Sequence, residues 1–583
     1  MGNYRNFELA TYFVAHATKR ISKDELQQQI DFFKKYMKLD KVYLEAFRGG
    51  DFASCEQVEM VKTTLEENGI KVEGGITTTL PDTEGAPRKQ RLFDVVCYND
   101  EDMLSKVSEA SEQNARFFDR FIIDDFYFTN CTCDKCRKGR DEYNKAHNIT
   151  DGSWQAYRVN LMYEASLKYM IAPAKEVNPN CKITIKFPNW MESYQETGYD
   201  PMSEKDIFDD IYTGTETRDP AHQDQHLPRY LSFSLMRYME SLAPHRNGGG
   251  WFDPFDCQVL DYYLEQAYLT AFSKPKELMM FCFQALYNQV ITPSLGFMLE
   301  KLDDVLDNLG NVIGVPCYIP NASQGEDNIQ DYLGMCGFPI VTTPFFEEDA
   351  PIMMLTKSSA YDKDIVDKLE AYLVKGGKAI VTNGFVEATM ERGIKRITSI
   401  RNMSRKISTN KFMGEQIMHR YGWENSYSSK ELSFPVVEFR NNATWAALCK
   451  ASKAEESYTL LARDTYGKGE MITLVVPDSF SDFKWLPAPI LTRMREEFKI
   501  NDMYLEGGPD VSLFAYDNDT IVLYSYVSSE AYDKDVFLHI KGAKKLKHTG
   551  WGFEMDPLYV EKDEAVFKIR SRVGKFDCIK IIR

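Results

Sequence analysis

The strongest constraint on the fold is a repeated order of short β-rich runs and longer amphipathic segments through the first half of the chain. Strands that alternate with helical segments are typical of βα units and of a parallel sheet. Eight such strands, each followed by a helix, in about 300 residues predict an α/β fold of the (β/α)8 or TIM barrel type. The predicted strands are Phe7–Ala15, Lys41–Phe47, Lys71–Thr78, Arg120–Phe126, Lys182–Pro188, Asp210–Thr215, Gly248–Asp253 and Glu277–Phe283.

Two further regions follow the barrel. Apolar strands and the amphipathic helix Ser359–Val374, closed by two glycines, predict an open-sheet α/β domain, and the charged stretch Glu391–Tyr427 is interpreted as an insertion in it. The last part of the chain has short alternating runs, which are typical of a small antiparallel β-sandwich. The predicted domains are therefore residues 1–307, 308–500 and 501–583.

Net charge and apolar patterning exclude some partners. The chain carries 70 Lys and Arg against 87 Asp and Glu, a net charge of −17. An acidic surface disfavours nucleic acid and anionic membranes as partners, and no run of apolar residues is long enough to span a membrane. The first residues lack the apolar core of a signal peptide. We therefore expect a cytoplasmic protein, with a secreted or periplasmic protein that has lost its leader as the alternative.

Carboxylates stand at the ends of three predicted barrel strands, the face where barrel enzymes place their active sites. Asp124 and Asp125 end strand four, Glu216 ends strand six, and Asp253 ends strand seven. Glu216 has the alternative of an ion pair with Arg218, and Asp253 has the alternative of capping a helix that is predicted to begin near Phe255. A pair of carboxyl groups at this face indicates glycoside hydrolysis, in which one transfers a proton and the other attacks or activates water.

Because neighbouring strand residues point to opposite sides, only one of Asp124 and Asp125 can face a substrate. We assign Asp125 as nucleophile or base and Glu216 as acid/base, and expect Asp124 to bond a neighbouring strand. The other polar and aromatic side chains expected at this mouth suit a polyhydroxylated neutral ligand. The predicted substrate-binding residues are Glu45, Arg48, Lys186, Asn189, Trp190, Trp251, Asp253 and Gln284.

A C-x-C-x-x-C run, formed by Cys131, Cys133 and Cys136, follows strand four. Thiolates at this spacing can hold one tetrahedral zinc ion when a fourth ligand comes from elsewhere. Cys97 and Cys55 are the two candidates for the fourth ligand. Four thiolates would close the coordination sphere, so the predicted zinc is structural, and no motif in the chain indicates an organic cofactor.

The cysteine set and the domain order resemble family 42 of the glycoside hydrolases, the β-galactosidases, and their uncharacterised barrel relatives. The members of that family carry a cysteine after strand three and a C-x-C-x-x-C after strand four, which Cys97 and the three later cysteines match. The resemblance implies a flavodoxin-like or amidotransferase-like second domain and a homotrimer.

The expected catalytic residues depart from that family. Its members have Asn-Glu at the end of strand four and a Glu nucleophile at strand seven, where this chain has Asp124-Asp125 and Asp253. An Asp at strand four with an acid at strand six resembles barrels that cleave α-galactosides.

The sequence therefore predicts an exo-acting glycoside hydrolase for a terminal, galactoside-like sugar, α-linked bonds included. The alternatives are a catalytically silent carbohydrate-binding barrel and an amidotransferase that uses Cys336.

Overall fold

The computed structural model describes residues 4–79, 96–415, 422–442, 444–528 and 530–583. The chain folds into two compact units, Met1–Leu227 with Met239–Asp307, and Pro228–Tyr238 with Asn308–Arg583. The further division of the second unit at residue 500 stays a prediction.

The first unit is a closed barrel of eight parallel strands. Each strand pairs with its sequence neighbour, and β1 closes the sheet by pairing with both β2 and β8. The predicted (β/α)8 fold is thereby confirmed. The strands are β1 (Glu8–Phe13), β2 (Lys41–Arg48), β3 (Lys71–Ile76), β4 (Arg120–Ile123), β5 (Lys182–Phe187), β6 (Asp210–Gly214), β7 (Asn247–Phe252) and β8 (Glu277–Met280), and the two-residue strand Asp51–Phe52 extends β2.

Helices follow the barrel strands. The helix Lys23–Tyr36 begins with a capping box, in which Ser22 and Glu25 satisfy each other's backbone N–H groups. Its buried face repeats at Leu26, Ile30 and Phe33. The helices of four or more residues in this part of the chain are Ala15–Thr18, Lys23–Tyr36, Cys55–Glu67, Glu101–Phe117, Asp134–Ala146, Gln155–Ala165, Ser166–Ile171 (a π-helix), Ala172–Val177, Tyr194–Thr197, Pro201–Glu204, Leu231–Leu242, Leu260–Phe272, Phe283–Leu286 and Ile291–Leu306.

Charged side chains close the barrel at the N-terminal ends of its strands. The buried ammonium of Lys41 contacts Glu277 and lies 3.5 Å from Glu73, and Tyr212 donates to Glu277 at 2.8 Å. Gly249 in β7 makes room here, since a Cβ atom would lie 2.7 Å from the Tyr212 hydroxyl. The glycines before Trp251 therefore serve strand packing at this closed end.

The second unit contains a nine-stranded mixed sheet. Its five parallel strands run in the order β10, β9, β11, β12, β17, the flavodoxin-like order that reverses between the first and third strands. Four antiparallel strands, β16, β15, β13 and β14, continue the sheet. The strands are β9 (Val315–Tyr318), β10 (Ile340–Thr343), β11 (Ile352–Leu355), β12 (Lys378–Thr382), β13 (Ile400–Glu415), β14 (Trp423–Phe439), β15 (Trp445–Lys453), β16 (Glu456–Tyr466) and β17 (Gly469–Leu474).

The prediction of an open α/β sheet is confirmed. Within the described residues, the stretch Glu391–Tyr427, interpreted as an insertion, supplies β13 and the start of β14, which lie in sequence between the paired parallel strands β12 and β17. The α-helices of this region are Ile329–Met335, Ile365–Lys375, Asn383–Ala388 and Ala488–Glu497. Residues 228–238 pack into the same unit, where the Tyr230 and Phe514 rings stack with centroids 5.4 Å apart.

Two antiparallel sheets form the C-terminal part and confirm the prediction that it is β-rich. One has the order Val312–Ile313, β19, β20, β26, β22, β23, and the other β18, β21, β25, β24. No helix among the described residues is long and apolar enough to cross a membrane. The strands are β18 (Met503–Glu506), β19 (Val511–Tyr516), β20 (Thr520–Ser525), β21 (Lys534–Lys541), β22 (Lys545–His548), β23 (Glu554–Met555), β24 (Tyr559–Glu561), β25 (Glu564–Ser571) and β26 (Phe576–Ile582).

Candidate functional site

A buried lysine connects the acidic residues at the carboxyl end of the barrel. Lys186, in β5, donates from Nζ to Asp125 Oδ2 and to Glu216 Oε1, each at 2.7 Å, and lies 3.7 Å from Asp124 Oδ1. Because β5 lies between β4 and β6, a side chain at its end can reach the acids of both neighbours. The structure thus brings together the two carboxylates that the sequence predicts as a catalytic pair.

Asp124 and Asp125 follow the end of β4 at Ile123, and they share Lys186 but differ in their other partners. Asp124 accepts from Thr77 at 3.2 Å and from Arg48 at 3.3 Å, and its Oδ1 accepts the Asp125 backbone N–H at 2.8 Å. The side chain of Asp125 is 13% exposed, against 3% for Asp124. Asp125 is therefore the more accessible of the two, and Asp124 is held within the barrel wall.

The proton affinity of the Asp125 carboxyl is unusual. Its pKa is raised to about 7. Burial is the largest cause of the rise, the nearby Lys186 ammonium opposes it, and the carboxylates of Asp124 and Glu216 add to it. The same carboxylates raise the pKa of Lys186, which remains an ammonium. At neutral pH the Asp125 carboxyl is therefore partly protonated.

A second charged network lies next to this pair. Glu45, fully buried at the end of β2, accepts from Tyr12 at 3.0 Å, from the Ala15 backbone N–H at 2.6 Å and from Arg48 at 2.8 Å. Thr77 donates both to Glu45 and to Asp124, so that the two networks share it. These contacts account for all the hydrogen-bonding capacity of a buried carboxylate and give Glu45 a positioning role.

Asp253 forms an ion pair with Arg218, which the sequence analysis considered as a partner of Glu216. Arg218 donates to both of its oxygens, at 2.9 and 2.7 Å, and the Phe255 backbone N–H donates to its Oδ1 at 3.0 Å. Arg218 thus pairs with Asp253 and not with Glu216, the alternative that the sequence left open. Burial raises the pKa of Asp253, and the Arg218 guanidinium opposes this shift.

Trp251 lies beneath the carboxylates and not at the surface of the mouth. Its side chain is buried, its ring lies 4.9 Å from that of Tyr12 and 5.0 Å from that of Phe281, and the Lys186 Nζ stands 4.1 Å above it. A cation over an indole face is favourable, more so in a dry site. Trp251 therefore supports Lys186 from below, and its face toward the mouth is covered.

Several buried polar atoms of the predicted site meet no hydrogen-bond partner within the described residues. They are Glu216 Oε2, Asn189 Oδ1, Trp190 Nε1 and Gln284 Nε2. Asn189 is held in place because its Nδ2 donates to the Glu216 carbonyl at 2.8 Å. Unpaired donors and acceptors in one region are costly unless a ligand with both kinds of group completes them, and sugar hydroxyls do so.

The structure also assembles the predicted cysteine cluster. The ligand atoms of Cys97, Cys131, Cys133 and Cys136 all lie within 4.8 Å of one another, and these four cysteines could hold a metal ion. Cys55 is exposed at the start of its helix and is not part of the cluster, which decides between the two candidates for the fourth position. No other such group of His, Cys, Asp and Glu occurs in the described part of the chain.

Two residues at the acidic site were not predicted. Thr77 begins the polar run that follows β3, and this run is a signal that could have identified it. Tyr12 lies inside a strand, where the sequence gives no such signal. The amidotransferase alternative has no support, because Cys336 is buried and burial raises the pKa of its thiol to about 12. A thiol of that pKa is a poor nucleophile at neutral pH.

Comparisons with known proteins agree with the geometry. Residues 1–296 match the model of a family described as "Probable glycosyl hydrolase, catalytic domain", and residues 308–479 match "Uncharacterized protein SSO3021, second domain". The chain is 25% identical over 521 residues to the uncharacterized protein SSO3021 of Saccharolobus solfataricus, covering 82% of this chain and 84% of that protein.

Solved structures share the fold along the whole chain. The β-galactosidase from Bacillus circulans sp. alkalophilus has a TM-score of 0.62 at 12% identity, with 98% of each chain covered. Gan42B, a GH42 β-galactosidase from G. stearothermophilus, has 0.64 at 10%, and α-L-fucosidase isoenzyme 2 from Paenibacillus thiaminolyticus has 0.64 at 11%, each with 99% of both chains covered. The resemblance to family 42 is therefore confirmed as one of fold.

Proposed function

The chain belongs to the family of probable glycosyl hydrolases, whose catalytic-domain model covers just over half of it, and we propose that it is an exo-acting glycoside hydrolase that uses Asp125 and Glu216. The observation that carries this proposal is the shared contact of both carboxylates with Lys186. This contact holds the two acids close together at the carboxyl end of the barrel. Barrel enzymes bind their substrates at this end.

The spacing of the pair favours retention of the anomeric configuration. Asp125 Oδ2 and Glu216 Oε1 each lie 2.7 Å from Lys186 Nζ, so these oxygens are no further apart than twice that distance. Retaining enzymes hold their carboxyl groups about 5–5.5 Å apart, whereas inverting enzymes leave about 6.5–9.5 Å for a water molecule. Asp125 would then attack the anomeric carbon while Glu216 protonates the leaving oxygen.

The charges around the pair favour a neutral sugar. Arg48, Lys186 and Arg218, the cations described at this mouth, are each paired with a carboxylate. The unpartnered amide, indole and carboxylate atoms match hydroxyl groups. The similar structures include β-galactosidases and an α-L-fucosidase, and L-fucose is a 6-deoxygalactose. We therefore propose a terminal galactose-like sugar, α-linked L-fucose included.

The catalytic pair is tested with Asp125→Asn and Glu216→Gln on nitrophenyl α-L-fucoside and α- and β-galactosides. We expect either substitution to lower kcat by about 10²–10⁴-fold, because each removes one of two carboxyl groups that the reaction needs. Glu216→Gln should retain more activity than Asp125→Asn on substrates with good leaving groups, because such groups need less protonation. Added azide should restore the activity of Glu216→Gln. NMR of the first product reports whether the anomer is retained.

Two controls accompany these variants. Asp304→Asn changes an exposed carboxylate of the same unit and should leave kcat unchanged, and Asp253→Asn should mainly raise KM. If both catalytic variants keep more than about a tenth of the wild-type kcat with native melting, the assignment is wrong. A thermal shift with sugars and no turnover by the wild type would instead support the silent carbohydrate-binding alternative.

The pKa of Asp125 predicts the pH dependence of activity. Asp125 must be ionised to attack the anomeric carbon, so kcat/KM should rise as the pH rises through about 7. Asp124→Asn removes a charge that raises this pKa, so the acid limb of its profile should move to lower pH. A flat profile between pH 6 and 8 would contradict this prediction.

Stability serves as the control for the pH profile. A carboxyl whose folded pKa is raised stabilises the fold fully below its ordinary pKa, and this contribution is lost as the pH rises toward 7. Above that window this group no longer changes the free energy of unfolding. Melting temperatures measured at each pH therefore separate the ionisation of Asp125 from changes in the stability of the fold.

We also propose that the cysteine cluster holds one structural zinc ion. Four thiols within 4.8 Å of one another fit a tetrahedral site made of four cysteine ligands, which has no open position for a substrate. Cys133→Ser should remove about one equivalent of zinc and lower the melting temperature more than the activity of folded protein. Cys55→Ser, outside the cluster, should change neither the zinc content nor the melting temperature. Purified protein that is free of metal and melts normally would contradict the proposal.

The resemblance to family 42 further supports a homotrimer. Light scattering at micromolar concentration should then give about three times the mass of the chain, which is 67.3 kDa. A mass equal to one chain under the same conditions would remove this proposal.

A further inference from the structure

A second cavity, remote in sequence from the carboxylate pair, lies among the C-terminal strands. It encloses about 660 Å³, within the range of about 300–1,000 Å³ that is usual for small-ligand sites. Its lining comes from β22, β25 and β26 and from the turn between β22 and β23. Two features of its walls, one aromatic and one cationic, point to a ligand.

The aromatic wall is formed by Trp551 and Phe553, which are 72% and 49% exposed. A tryptophan can bury about 150–250 Å², so leaving this much of one in water is a substantial cost. The turn that carries them is fixed: the Trp551 backbone N–H donates to His548 Nδ1 at 3.2 Å, and Phe553 stacks on the His548 ring at 5.3 Å. The platform is therefore formed before a ligand arrives, which lowers the entropic cost of binding.

Asp577, on the floor of the cavity, holds the ring of His548 in place. Because His548 Nδ1 accepts from the Trp551 backbone, its Nε2 carries the proton and donates to Asp577 at 3.1 Å. Asp577 also lines the cavity and offers its carboxylate to sugar hydroxyls. The aromatic wall and a hydrogen-bonding floor are thus held in one arrangement.

The opposite wall is cationic. Lys568 and Arg570 project from the same face of β25, since alternate strand residues share a face, and Arg572 follows directly. Asp535 lies 2.9 Å from Lys568 and 3.4 Å from Arg570. Arg572 lies 3.6 Å from Asp577, which also accepts from His548. Among the described residues three cations thus share two carboxylates at this wall, a positive excess in a chain whose net charge is −17.

From these walls we infer that the cavity binds an acidic sugar residue, a uronate, within a polysaccharide chain. The apolar face of a pyranose ring stacks on Trp551, while the sugar carboxylate receives paired N–H donors from Arg570 or Arg572. A neutral sugar would leave the cationic wall unused, and a small inorganic anion would leave the aromatic wall unused. This inference rests on the proposed function, since a second site of this kind would hold a polymer whose ends the barrel hydrolyses.

The test is calorimetric titration of two matched trisaccharides, α-1,4-trigalacturonate and α-1,4-galactotriose, which differ only in the carboxylate at C6. The full chain carrying Asp125→Asn is used, so that turnover does not consume the ligand. We expect trigalacturonate to bind at least about tenfold more tightly, as a charge-assisted hydrogen bond provides, and to bind more weakly as salt is added. Trp551→Ala and Arg570→Gln should each weaken its binding about tenfold or more.

Control variants and the other outcomes make the result decisive. Tyr361→Ala removes an exposed aromatic ring elsewhere in the same unit and should not change binding. Equal affinity for the two trisaccharides, or binding that Trp551→Ala leaves intact, would overturn the inference. A change of the Trp551→Ala protein from oligomer to monomer would show that a second copy of the chain covers this surface, and would also overturn it.

Failure of the proposed function can be told apart from failure of this inference. The titration measures binding without catalysis, so it reports the affinity of the C-terminal cavity even if no glycoside is hydrolysed. Conversely, the kcat of the wild type on a nitrophenyl glycoside reports the barrel alone, because a small substrate does not extend beyond the barrel.

Discussion

The ammonium of Lys186 is the constraint on which the acidic site depends. It is buried, it contacts the carboxylates of two other strands, and it rests on the face of Trp251. Three buried carboxylates so close together are costly unless a cation is paired with them. The Lys186 ammonium provides that pairing and lowers the pKa of Asp125, which burial and the two neighbouring carboxylates raise. The same contacts fix the spacing of the two acids, so that geometry and protonation have a single cause.

The barrel keeps its two ends chemically distinct. At the closed end Lys41 is surrounded by Glu277, Glu73 and Glu8, and Tyr212 completes the remaining acceptor of Glu277. At the open end buried polar atoms of Glu216 and Asn189 stay without partners among the described residues. Both ends bury charge, and at the closed end Glu73 Oε2 also lacks a hydrogen-bond partner among the described residues, but it lies 3.5 Å from the Lys41 ammonium. At the open end the unused groups include an amide oxygen, an amide nitrogen and an indole nitrogen beside a carboxylate, a mixture of donors and acceptors that a sugar can complete.

Sequence reasoning succeeded where a pattern is tied to chain geometry. Alternating strands and helices predict the barrel because a parallel strand needs a crossover, and Asp125 and Glu216 could be placed at one face because parallel strands end together. It failed where a side chain chooses between neighbours in space. Arg218 lies two residues from Glu216 yet pairs with Asp253, 35 positions away. The strand β13 was not predicted, because its many charged residues conceal a pattern in which only one face is buried.

The cysteine cluster connects the stability of the fold to the placement of Asp125. Cys97 follows β3, and Cys131 and Cys133 follow β4 shortly after the strand ends in its two aspartates. A metal ion held by all four thiolates would cross-link the segments after these two strands and limit the movement of the backbone that carries Asp125. Without a cation the four sulfur atoms do not cross-link the two segments. A bound ion would therefore affect catalysis without any contact with the substrate, through the position of the segment that bears the carboxylate.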